Sequence, residues 1–246
     1  MPAIETATLE AWQAEVAGKS PDEILAWAAD RFQGKIRFAT SLGLEDQVLT
    51  DMIARAGLPI SLFTLDTGRL FQETYDLIEQ TRARYGIAIE ICFPDAAEVR
   101  AMVHEHGINL FRRSVEFRKL CCGVRKIHPM HQALAGQAAW VVGLRREQSV
   151  TRVELRAVDW DAGNGLVKVS PLIDWTEKQV RAYIEAHDVP YNPLHDRGYP
   201  SIGCACCTRA VAPGEDVRAG RWWWEQPEHK ECGLHGRPGF TRGDAT

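Results

Sequence analysis

The chain carries most of its cysteines in two groups that could share one chemical centre. Cys121 and Cys122 are adjacent, and Cys204 and Cys207 form the ends of a C-x-x-C that also contains Cys206. Two pairs of thiolates can hold a [4Fe–4S] cluster or a four-cysteine zinc site. A C-x-x-C by itself is also typical of a redox pair. These residues therefore predict a metal centre or a redox site and leave the choice open.

One further cysteine stands alone near the end of the chain. Cys232 lies in the run KECGLH, beside Lys230 and His235 and without a second cysteine nearby. Cationic neighbours lower the pKa of a thiol and make it nucleophilic. We interpret Cys232 as a candidate nucleophile, and the alternative is a cysteine without a function, which composition alone favours.

Basic residues are concentrated around the first cysteine pair. Six basic residues and one acid lie between Arg112 and Lys126, although the whole chain has a net charge of −4. A run of charge is usually a solvated face. Arginine, however, suits phosphate and sulfate, and this run contains the cysteines. It therefore favours a small, highly anionic substrate, whereas the acidic balance argues against nucleic acid as a partner.

The composition is that of a globular protein. The chain has 246 residues, of which 45% are hydrophobic and 25% charged, which excludes disordered and collagenous chains. No apolar run reaches the length of a membrane span, and the start, MPAIETATLE, lacks the features of a signal peptide. We therefore expect no membrane partner and a cytoplasmic protein with reduced cysteines.

Short β-rich runs alternate with longer helical patterns along most of the chain. This alternation predicts an α/β fold, a doubly wound and mainly parallel sheet, with a Cys-rich C-terminal tail. Ser20 to Glu23 reads as a capping box, and Asp95 and Thr176 as helix caps. The predicted segments, within one structural domain, are N-terminal helices (1–35), an α/β nucleotide-binding region (36–190) and a C-terminal segment (191–246). The family resemblance given below implies that this last segment is cluster-binding and catalytic. The predicted strands are 36–40, 60–66, 87–93 and 139–144, followed by a hairpin-like pair at 153–160 and 165–170.

Three turns follow predicted strands. They are 40–46, 65–69 and 143–146, and ligands of such sheets bind at the carboxyl ends of the strands. A turn that opens a helix offers free N–H groups to an anion. Each turn alone is typical of an ordinary βα loop, but the three together predict a nucleotide pocket. Asp66, Arg145 and Arg146 are the candidate substrate-contacting side chains in these turns.

The motifs together resemble a known family. The segment CCGVRK (121–126), the C-x-x-C at 204–207 and the KECGLH tail resemble those of the iron–sulfur branch of the assimilatory adenylyl-sulfate (APS) and phosphoadenylyl-sulfate (PAPS) reductases. The likeness runs from about Phe38 to His235. Enzymes of this family that are specific for PAPS keep the tail but lack the two cysteine pairs. The implied fold is the adenine nucleotide α-hydrolase-like sheet. The ATP-pyrophosphatase loop, Ser-x-Gly-Gly-x-Asp-Ser, reads TSLGLED here, which argues against ATP cleavage.

The resemblance implies roles for individual residues. Cys232 and Lys126 are implied as catalytic residues, with Lys126 placed between a [4Fe–4S] cluster and the substrate sulfate. Cluster ligands are implied at Cys121, Cys122, Cys204 and Cys207. Basic residues that bind the phosphosulfate are implied at Arg152, Arg218 and Arg221. Residues of the nucleotide-binding turns are implied at Thr40, Ser41, Gly43, Leu65 and Gly143.

The resemblance also implies the reaction. It is the reduction of adenylyl sulfate to sulfite and AMP through a Cys232 S-sulfonate, in sulfate assimilation and cysteine biosynthesis. Thioredoxin or a similar dithiol is the implied reductant, and a homo-oligomer is compatible with the family. The alternatives are a PAPS reductase, or an ATP-dependent adenylating transferase on the same fold with a structural four-cysteine zinc site.

Overall fold

The computed structural model describes residues 5–148 and 155–226. Arg152 and Cys232 lie outside the described residues. The helices are α1 (Thr6–Val16), α2 (Pro21–Arg31), α3 (Leu44–Arg55), α4 (Gln72–Tyr85), α5 (Ala96–His106), α6 (Val115–Cys122), α7 (His128–Leu134) and α8 (Glu177–His187). The strands are β1 (Ile36–Ala39), β2 (Ser61–Leu65), β3 (Ile89–Cys92), β4 (Ala139–Val141), β5 (Val158–Asp161) and β6 (Leu166–Val169).

The strands form one six-stranded sheet in the order β3-β2-β1-β4-β6-β5. β1 pairs in parallel with β2 and β4, and β4 pairs in parallel with β6, while β5 is antiparallel to β6. The predicted mainly parallel sheet and its hairpin-like pair are thus confirmed. The strand order reverses at β1, so a topological switch point lies between the carboxyl ends of β1 and β4.

Several helix starts follow directly from local sequence. The Ser20 hydroxyl accepts a hydrogen bond from the Glu23 N–H, and the Glu23 carboxylate accepts one from the Ser20 N–H, which completes the predicted capping box of α2. The Asp95 carboxylate caps α5 and the Thr176 hydroxyl caps α8. Each cap satisfies N–H groups that the first helical turn leaves without partners. The predicted helix starts are confirmed at these positions.

An irregular turn follows the first cysteine pair. α6 ends at Cys122 and continues as a π-helical turn (Gly123–Ile127) before α7 begins. Gly123 weakens the helix, and Pro129 has no N–H to donate to the carbonyl of Arg125. Wide helical turns of this kind recur at functional sites because they redirect side chains. Here the turn carries Arg125 and Lys126.

The chain divides into two compact units. The first unit contains the residues up to Thr64, 76–90 and 134–192. The second contains 65–75, 91–133 and the residues from Pro193 onward. Residues near both cysteine pairs share one core in the second unit. That core includes Phe111, Cys121, Cys207 and Trp222. The predicted segment boundaries at 35 and 190 and the single structural domain stay predictions.

The core of the first unit is built on its strands. Phe38 of β1, Trp140 of β4 and Val167 of β6 are essentially inaccessible to solvent. The first unit thus offers a rigid sheet edge on which short turns can hold a fixed geometry.

Within the described ranges, no helix combines the length and the apolar character needed to cross a membrane.

Candidate active site

The turn after β1 is held in a fixed conformation by its own side chains. The Ser41 N–H and hydroxyl each donate a hydrogen bond of 2.6 Å to Oδ2 of Asp46. The Leu42 N–H donates to the Thr40 hydroxyl at 3.1 Å. Leu42 has a φ of 61°, which an ordinary side chain rarely adopts, and it is buried. Strained backbone of this kind is concentrated at ligand-binding turns, and Gly43 then opens α3.

Asp46 links this turn to the turn after β4. Its carboxylate also accepts a hydrogen bond from the Gly143 N–H, and burial raises the pKa of Asp46 to about 6 against the effect of these bonds. A Cβ at Gly143 would lie 2.1 Å from Oδ1 of Asp46. Only glycine therefore fits at this position while the carboxylate keeps its place. The predicted turn residues Thr40, Ser41 and Gly143 are joined in one network.

The arginines that follow Gly143 are already engaged. Arg145 is buried, and its guanidinium donates to Glu45 at 2.7 Å and to Glu147 at 2.8 Å. Arg146 donates to the carbonyl oxygen of Leu155 and forms an ion pair with Asp174. Arg145 thus braces the turns of the first unit, because both of its neighbouring carboxylates neutralise it. That Arg145 and Arg146 contact the substrate stays a prediction.

The turn after β2 belongs to the second unit. Leu65 ends β2, and Oδ1 of Asp66 accepts hydrogen bonds from the Gly68 N–H at 2.7 Å and from the Tyr75 hydroxyl at 2.9 Å. The Thr67 hydroxyl lies 3.2 Å from the sulfur of Cys204. The prediction that all three turns share one nucleotide pocket stays a prediction, since this turn contacts the cysteines of its own unit.

The second unit contains a pocket lined by cysteines from both predicted groups. It is partly open to solvent, and two aromatic side chains, Phe111 and Trp222, line it. Its thiols are those of Cys121, Cys122, Cys204, Cys206 and Cys207. Its cations are Arg69, Arg118, Arg125, Lys126 and Arg221. The tertiary structure thus brings together two cysteine groups that lie far apart in the sequence.

Burial and cations act in opposite directions on these thiols. Burial raises the pKa of Cys121, and Arg125 and Arg69 lower it in part. The sulfurs of Cys206 and Cys207 are 3.7 Å apart. The Cys207 thiol stabilises a Cys206 thiolate by hydrogen bonding, and Arg69 adds to this, so the pKa of Cys206 falls to about 6. The same bond and burial raise the pKa of Cys207.

Two of the pocket cations, Arg125 and Arg69, donate hydrogen bonds to backbone carbonyls. Arg125 is buried and donates from Nη1 to the carbonyl oxygen of Thr67 at 2.6 Å. Its Nε atom is also buried and meets no hydrogen-bond acceptor among the described residues. Arg69 donates to the carbonyl oxygen of Ile108 and, at 3.6 Å, to the sulfur of Cys206. Lys126 is half-buried at the wall of the pocket.

Arg218 and Arg221 differ in their surroundings. Arg221 is buried, and its guanidinium donates to the Ser201 hydroxyl and to the carbonyl oxygen of Ile202. A Cβ at Gly203 would lie 2.2 Å from this guanidinium, so the glycine makes room for it. Arg218 is half-buried in the turn before it. Of the two, Arg221 reaches the cysteine pocket.

The donor set of the pocket fits an iron–sulfur cluster. Thiolates are the ligands such clusters use, and cations and hydrogen-bond donors around the sulfurs stabilise them. The five thiols of the pocket include the predicted ligands Cys121, Cys122, Cys204 and Cys207, and Thr67, Arg69 and Arg125 lie close to them. That these four cysteines are the ligands stays a prediction. Among residues 5–148 and 155–226, no three side chains of the ligating types converge on a single metal ion.

Several pocket residues were not singled out from the sequence as site residues. Arg69 lies in the turn after β2. The position of this turn after a strand predicted a binding turn at 65–69, but that signal did not single out Arg69. Arg118 sits one helical turn before Cys121, where it reads as part of an ordinary basic run. Trp222 offered no such signal, because its place in the pocket depends on the packing of the C-terminal segment.

Comparisons with known proteins agree in the type of protein they indicate. Residues 35–210 match the phosphoadenosine phosphosulfate reductase domain. The chain is 61% identical over 202 residues to the adenosine 5′-phosphosulfate reductase of Allochromatium vinosum, covering 82% of this chain and 79% of that protein. It is 53% identical over 234 residues to the protein of the same name from Burkholderia cepacia, covering 94% and 93%.

The solved structures agree with the fold. The crystal structure of a phosphoadenylyl-sulfate reductase from Candida auris, a phosphate complex, superposes with a TM-score of 0.74 at 30% identity, covering 85% of this chain and 98% of that one. An FMN adenylyltransferase from Candida glabrata superposes with a TM-score of 0.53 at 17% identity, covering 82% and 66%. The second likeness concerns the fold alone.

Proposed function

Because the chain belongs to the phosphoadenosine phosphosulfate reductase domain family, we propose that it reduces adenylyl sulfate to sulfite and AMP in sulfate assimilation. The observation that carries the proposal is the pocket in which both cysteine groups meet a set of cations. Relatives that share more than half of their aligned residues with this chain are named adenosine 5′-phosphosulfate reductase. The nucleophile must stay reduced, so we place the reaction in the cytoplasm.

The nucleotide is bound by the turns at the switch point of the first unit. The free N–H groups at the start of α3 favour an anion, and the helix dipole adds to this. The Asp46 carboxylate accepts hydrogen bonds from Ser41 and Gly143 and so fixes both turns. The turns therefore do not have to reorganise when the substrate binds. Because Arg145 is paired with Glu45 and Glu147, its role is to fix the turn.

Neutralisation of charge must precede attack on the sulfate. The sulfur of a sulfuric–phosphoric anhydride is shielded by anionic oxygens, which repel a thiolate. Lys126, Arg152, Arg218 and Arg221 are the cations we propose for this task. A guanidinium held by protein acceptors, as Arg221 is by Ser201 and Ile202, keeps its charge in a fixed position and pays little reorganisation during the reaction.

Cys232 is the proposed nucleophile. Its thiolate attacks the sulfur, the bond from sulfur to the phosphate oxygen breaks, and AMP leaves with the bonding electrons. The Cys232 S-sulfonate then reacts with a dithiol such as thioredoxin. The dithiol's thiolate attacks the Cys232 sulfur, sulfite leaves with the electron pair, and the second thiol resolves the mixed disulfide. Two electrons pass from the dithiol to the sulfur that leaves as sulfite.

A [4Fe–4S] cluster is the proposed cofactor, held by Cys121, Cys122, Cys204 and Cys207. When bound, it would supply a fixed charge distribution that tunes the electrostatics of the anionic site. The surrounding residues set that environment: the Thr67 hydroxyl lies against the sulfur of Cys204, and Arg125 against the carbonyl of Thr67. Cys206 is a fifth thiol of the pocket, and we assign it no ligand role.

The test is anaerobic purification with iron and sulfide analysis, followed by a sulfite assay with adenylyl sulfate and thioredoxin. Protein given adenylyl sulfate without reductant should gain the mass of one sulfonate group on the Cys232 peptide. Cys232→Ser should keep the iron and the substrate affinity and lose turnover by at least about 10³-fold, because a hydroxyl stays protonated near neutral pH. A sulfonate on another cysteine would contradict the assignment.

The PAPS-specific alternative has a specific observation in its favour, the structural likeness to the Candida auris enzyme. We nevertheless expect adenylyl sulfate to be preferred, since the resemblance ties the two cysteine pairs to the unphosphorylated substrate. Burying a 3′-phosphate without partners would cost several kcal/mol. Values of kcat/KM for the two nucleotides, adenylyl sulfate and its 3′-phosphorylated form, that lie within a few-fold of each other would contradict this preference.

Consumption of ATP with release of pyrophosphate, together with zinc in place of iron, would indicate the adenylating transferase instead.

A further inference from the structure

A buried ion pair joins the helix of the first cysteine pair to the end of the described chain. Nε and Nη2 of Arg118 donate to the two carboxylate oxygens of Glu225 at 3.0 and 2.9 Å. The side chains are 2% and 3% exposed. This two-bond geometry is among the most directional that a protein can form. Arg118 lies in α6, three residues before Cys121.

The segment around Glu225 is held at further points. The Trp222 ring contacts two guanidinium groups, with Cζ of Arg118 at 4.6 Å and Cζ of Arg221 at 4.8 Å from its centroid. The Trp222 N–H donates to the carbonyl oxygen of Cys207 at 3.1 Å. Trp222 also has a φ of 39°, and such backbone persists only where its surroundings over-determine it.

A buried ion pair is weak support for stability, because removing two charges from water offsets most of their attraction. Its best-attested use is to fix one arrangement among several that packing alone would allow. The contacts of Trp222 already bury its own side chain. What Arg118 and Glu225 add is therefore the direction in which the chain leaves the pocket.

Glu225 lies only seven residues before Cys232 in the sequence. Gln226 ends the described residues and Cys232 follows six residues later, so covalent geometry limits the distance between their Cα atoms to about 20 Å. We propose that the Arg118–Glu225 pair is a clasp that anchors the tail carrying Cys232 and thereby raises the effective concentration of its thiolate at the substrate. The proposal rests on Cys232 being the nucleophile.

The clasp residues are positioning residues, since they act through Cys232. If Glu225 is fixed, the chain from Glu225 to Cys232 can place the thiolate at fewer positions than an unanchored chain can. Misplacement of a reacting group by about 1 Å can cost 100-fold in rate. Loss of the clasp should slow the transfer of the sulfonate group to Cys232 while the affinity for adenylyl sulfate is retained.

The experiment compares Glu225→Gln and Arg118→Lys with the wild-type holoenzyme. Single-turnover formation of the Cys232 sulfonate, without reductant and followed by mass spectrometry, should slow by about 10- to 100-fold in Glu225→Gln. Arg118→Lys keeps the charge but only one bond, so its loss should be smaller and in the same direction. The Kd of adenylyl sulfate, measured in the Cys232→Ser background, and the iron content should stay within about twofold of wild type.

A matched control lies in the same stretch of chain. Arg209 and Glu215 form another two-bond pair, at 2.9 and 2.8 Å, but it is far more exposed. Exposed pairs contribute little, so Glu215→Gln should leave the sulfonation rate unchanged. Amide hydrogen exchange at residues 221–226 should quicken in Glu225→Gln and not in Glu215→Gln, whatever the activity.

Each outcome bears on a different statement. A wild-type enzyme that forms no Cys232 sulfonate overturns the proposed function, and with it the positioning role. A wild-type enzyme that does form it, together with a Glu225→Gln rate within twofold, overturns the clasp alone. Iron content or substrate affinity falling in parallel with the rate, or unchanged hydrogen exchange at 221–226, would also overturn the clasp, because the pair would then serve general structure.

Discussion

The two units hold their functional groups by different means. In the first unit, the turns after β1 and β4 are organised by backbone N–H groups around one buried carboxylate, that of Asp46. In the second unit, five thiols and a set of cationic side chains from separate stretches of chain line one pocket. The turns of the first unit present backbone donors, whereas the pocket of the second presents reactive and ligating side chains.

This difference determines which substitutions each unit tolerates. A network built on backbone is sensitive to the shape of a residue, because an added Cβ or a lost acceptor displaces the whole turn. A pocket built on thiols is sensitive to chemical identity, because oxygen is a poor substitute for sulfur toward a soft metal. Substitutions in the two regions should therefore affect different observables, substrate affinity in the first and iron content in the second.

The largest expected effect concerns the thiols. Replacing Cys204 by Ser should abolish the visible absorption of the anaerobically purified protein and lower sulfite formation by at least about 100-fold, since a hard hydroxyl replaces a soft thiolate. The same result is expected for Cys121, Cys122 and Cys207. Cys206→Ser is the matched control and should keep the iron. If Cys206→Ser loses the iron and Cys207→Ser keeps it, the assigned pairing is wrong.

A smaller effect is expected in the first unit. Gly143→Ala places a Cβ 2.1 Å from Oδ1 of Asp46, whose carboxylate three hydrogen bonds hold in place. Overpacking of this kind costs about 1–3 kcal/mol. Because the substrate binds the undisplaced turn, restoring the turn on binding would raise the Kd by roughly 5- to 150-fold. The Kd of adenylyl sulfate, measured by calorimetry, should rise accordingly with the iron content unchanged.

Gly163→Ala is the control for this variant. A Cβ at Gly163, in the turn between β5 and β6, would contact Oδ1 of Asp161 at an ordinary 3.4 Å. This substitution should leave the Kd of adenylyl sulfate at its wild-type value. A loss of iron in Gly143→Ala with substrate affinity preserved would break the distinction between the two regions.

The last effect is on stability and depends on pH. The pKa of Asp46 is about 6 in the folded protein, above the ordinary value of 3.8. The stability that protonated Asp46 contributes is thus complete below about pH 3.8 and is lost as the pH rises through 6. The free energy of unfolding of Asp46→Asn relative to wild type should rise by roughly 2–3 kcal/mol across this range.

Urea unfolding between pH 4 and pH 7.5 measures this difference. Asn carries no charge at any pH in the range, so only wild type should show the Asp46 contribution. Asp30→Asn, at an exposed position of α2, is the control and should follow the wild-type curve. Parallel curves for wild type and Asp46→Asn would show that the buried carboxylate does not titrate in this range.

Much of the fold follows from local signals. The caps at Ser20, Asp95 and Thr176 satisfy helix N–H groups with neighbours only a few residues away, so the sequence predicted where α2, α5 and α8 begin. The alternation of strands and helices predicted the parallel sheet. The π-helical turn at 123–127 was not predicted, because its signals, Gly123 and Pro129, occur equally in ordinary helix ends.

Burial was harder to predict than secondary structure. Cys92 lies in an apolar run, which is typical of a core position, yet it is half-buried at the end of β3. Arg118 lies in a basic run typical of a solvated face, yet it is 1% exposed against Glu225. Burial depends on which distant segment covers a residue, and no local pattern carries that information.

What the sequence determined by itself is the chemistry. The residue types and local spacing within each cysteine group, 121–122 and 204–207, predict ligating thiolates, and the three turns after predicted strands predict a nucleotide pocket. Each of these signals depends on residues that are close together in the chain. The tertiary structure alone decided that the two cysteine groups line one pocket, that Asp46 joins Ser41 to Gly143, and that Arg118 meets Glu225. These contacts arise between segments that come together only when their apolar surfaces are buried, so their partners cannot be identified from the local sequence.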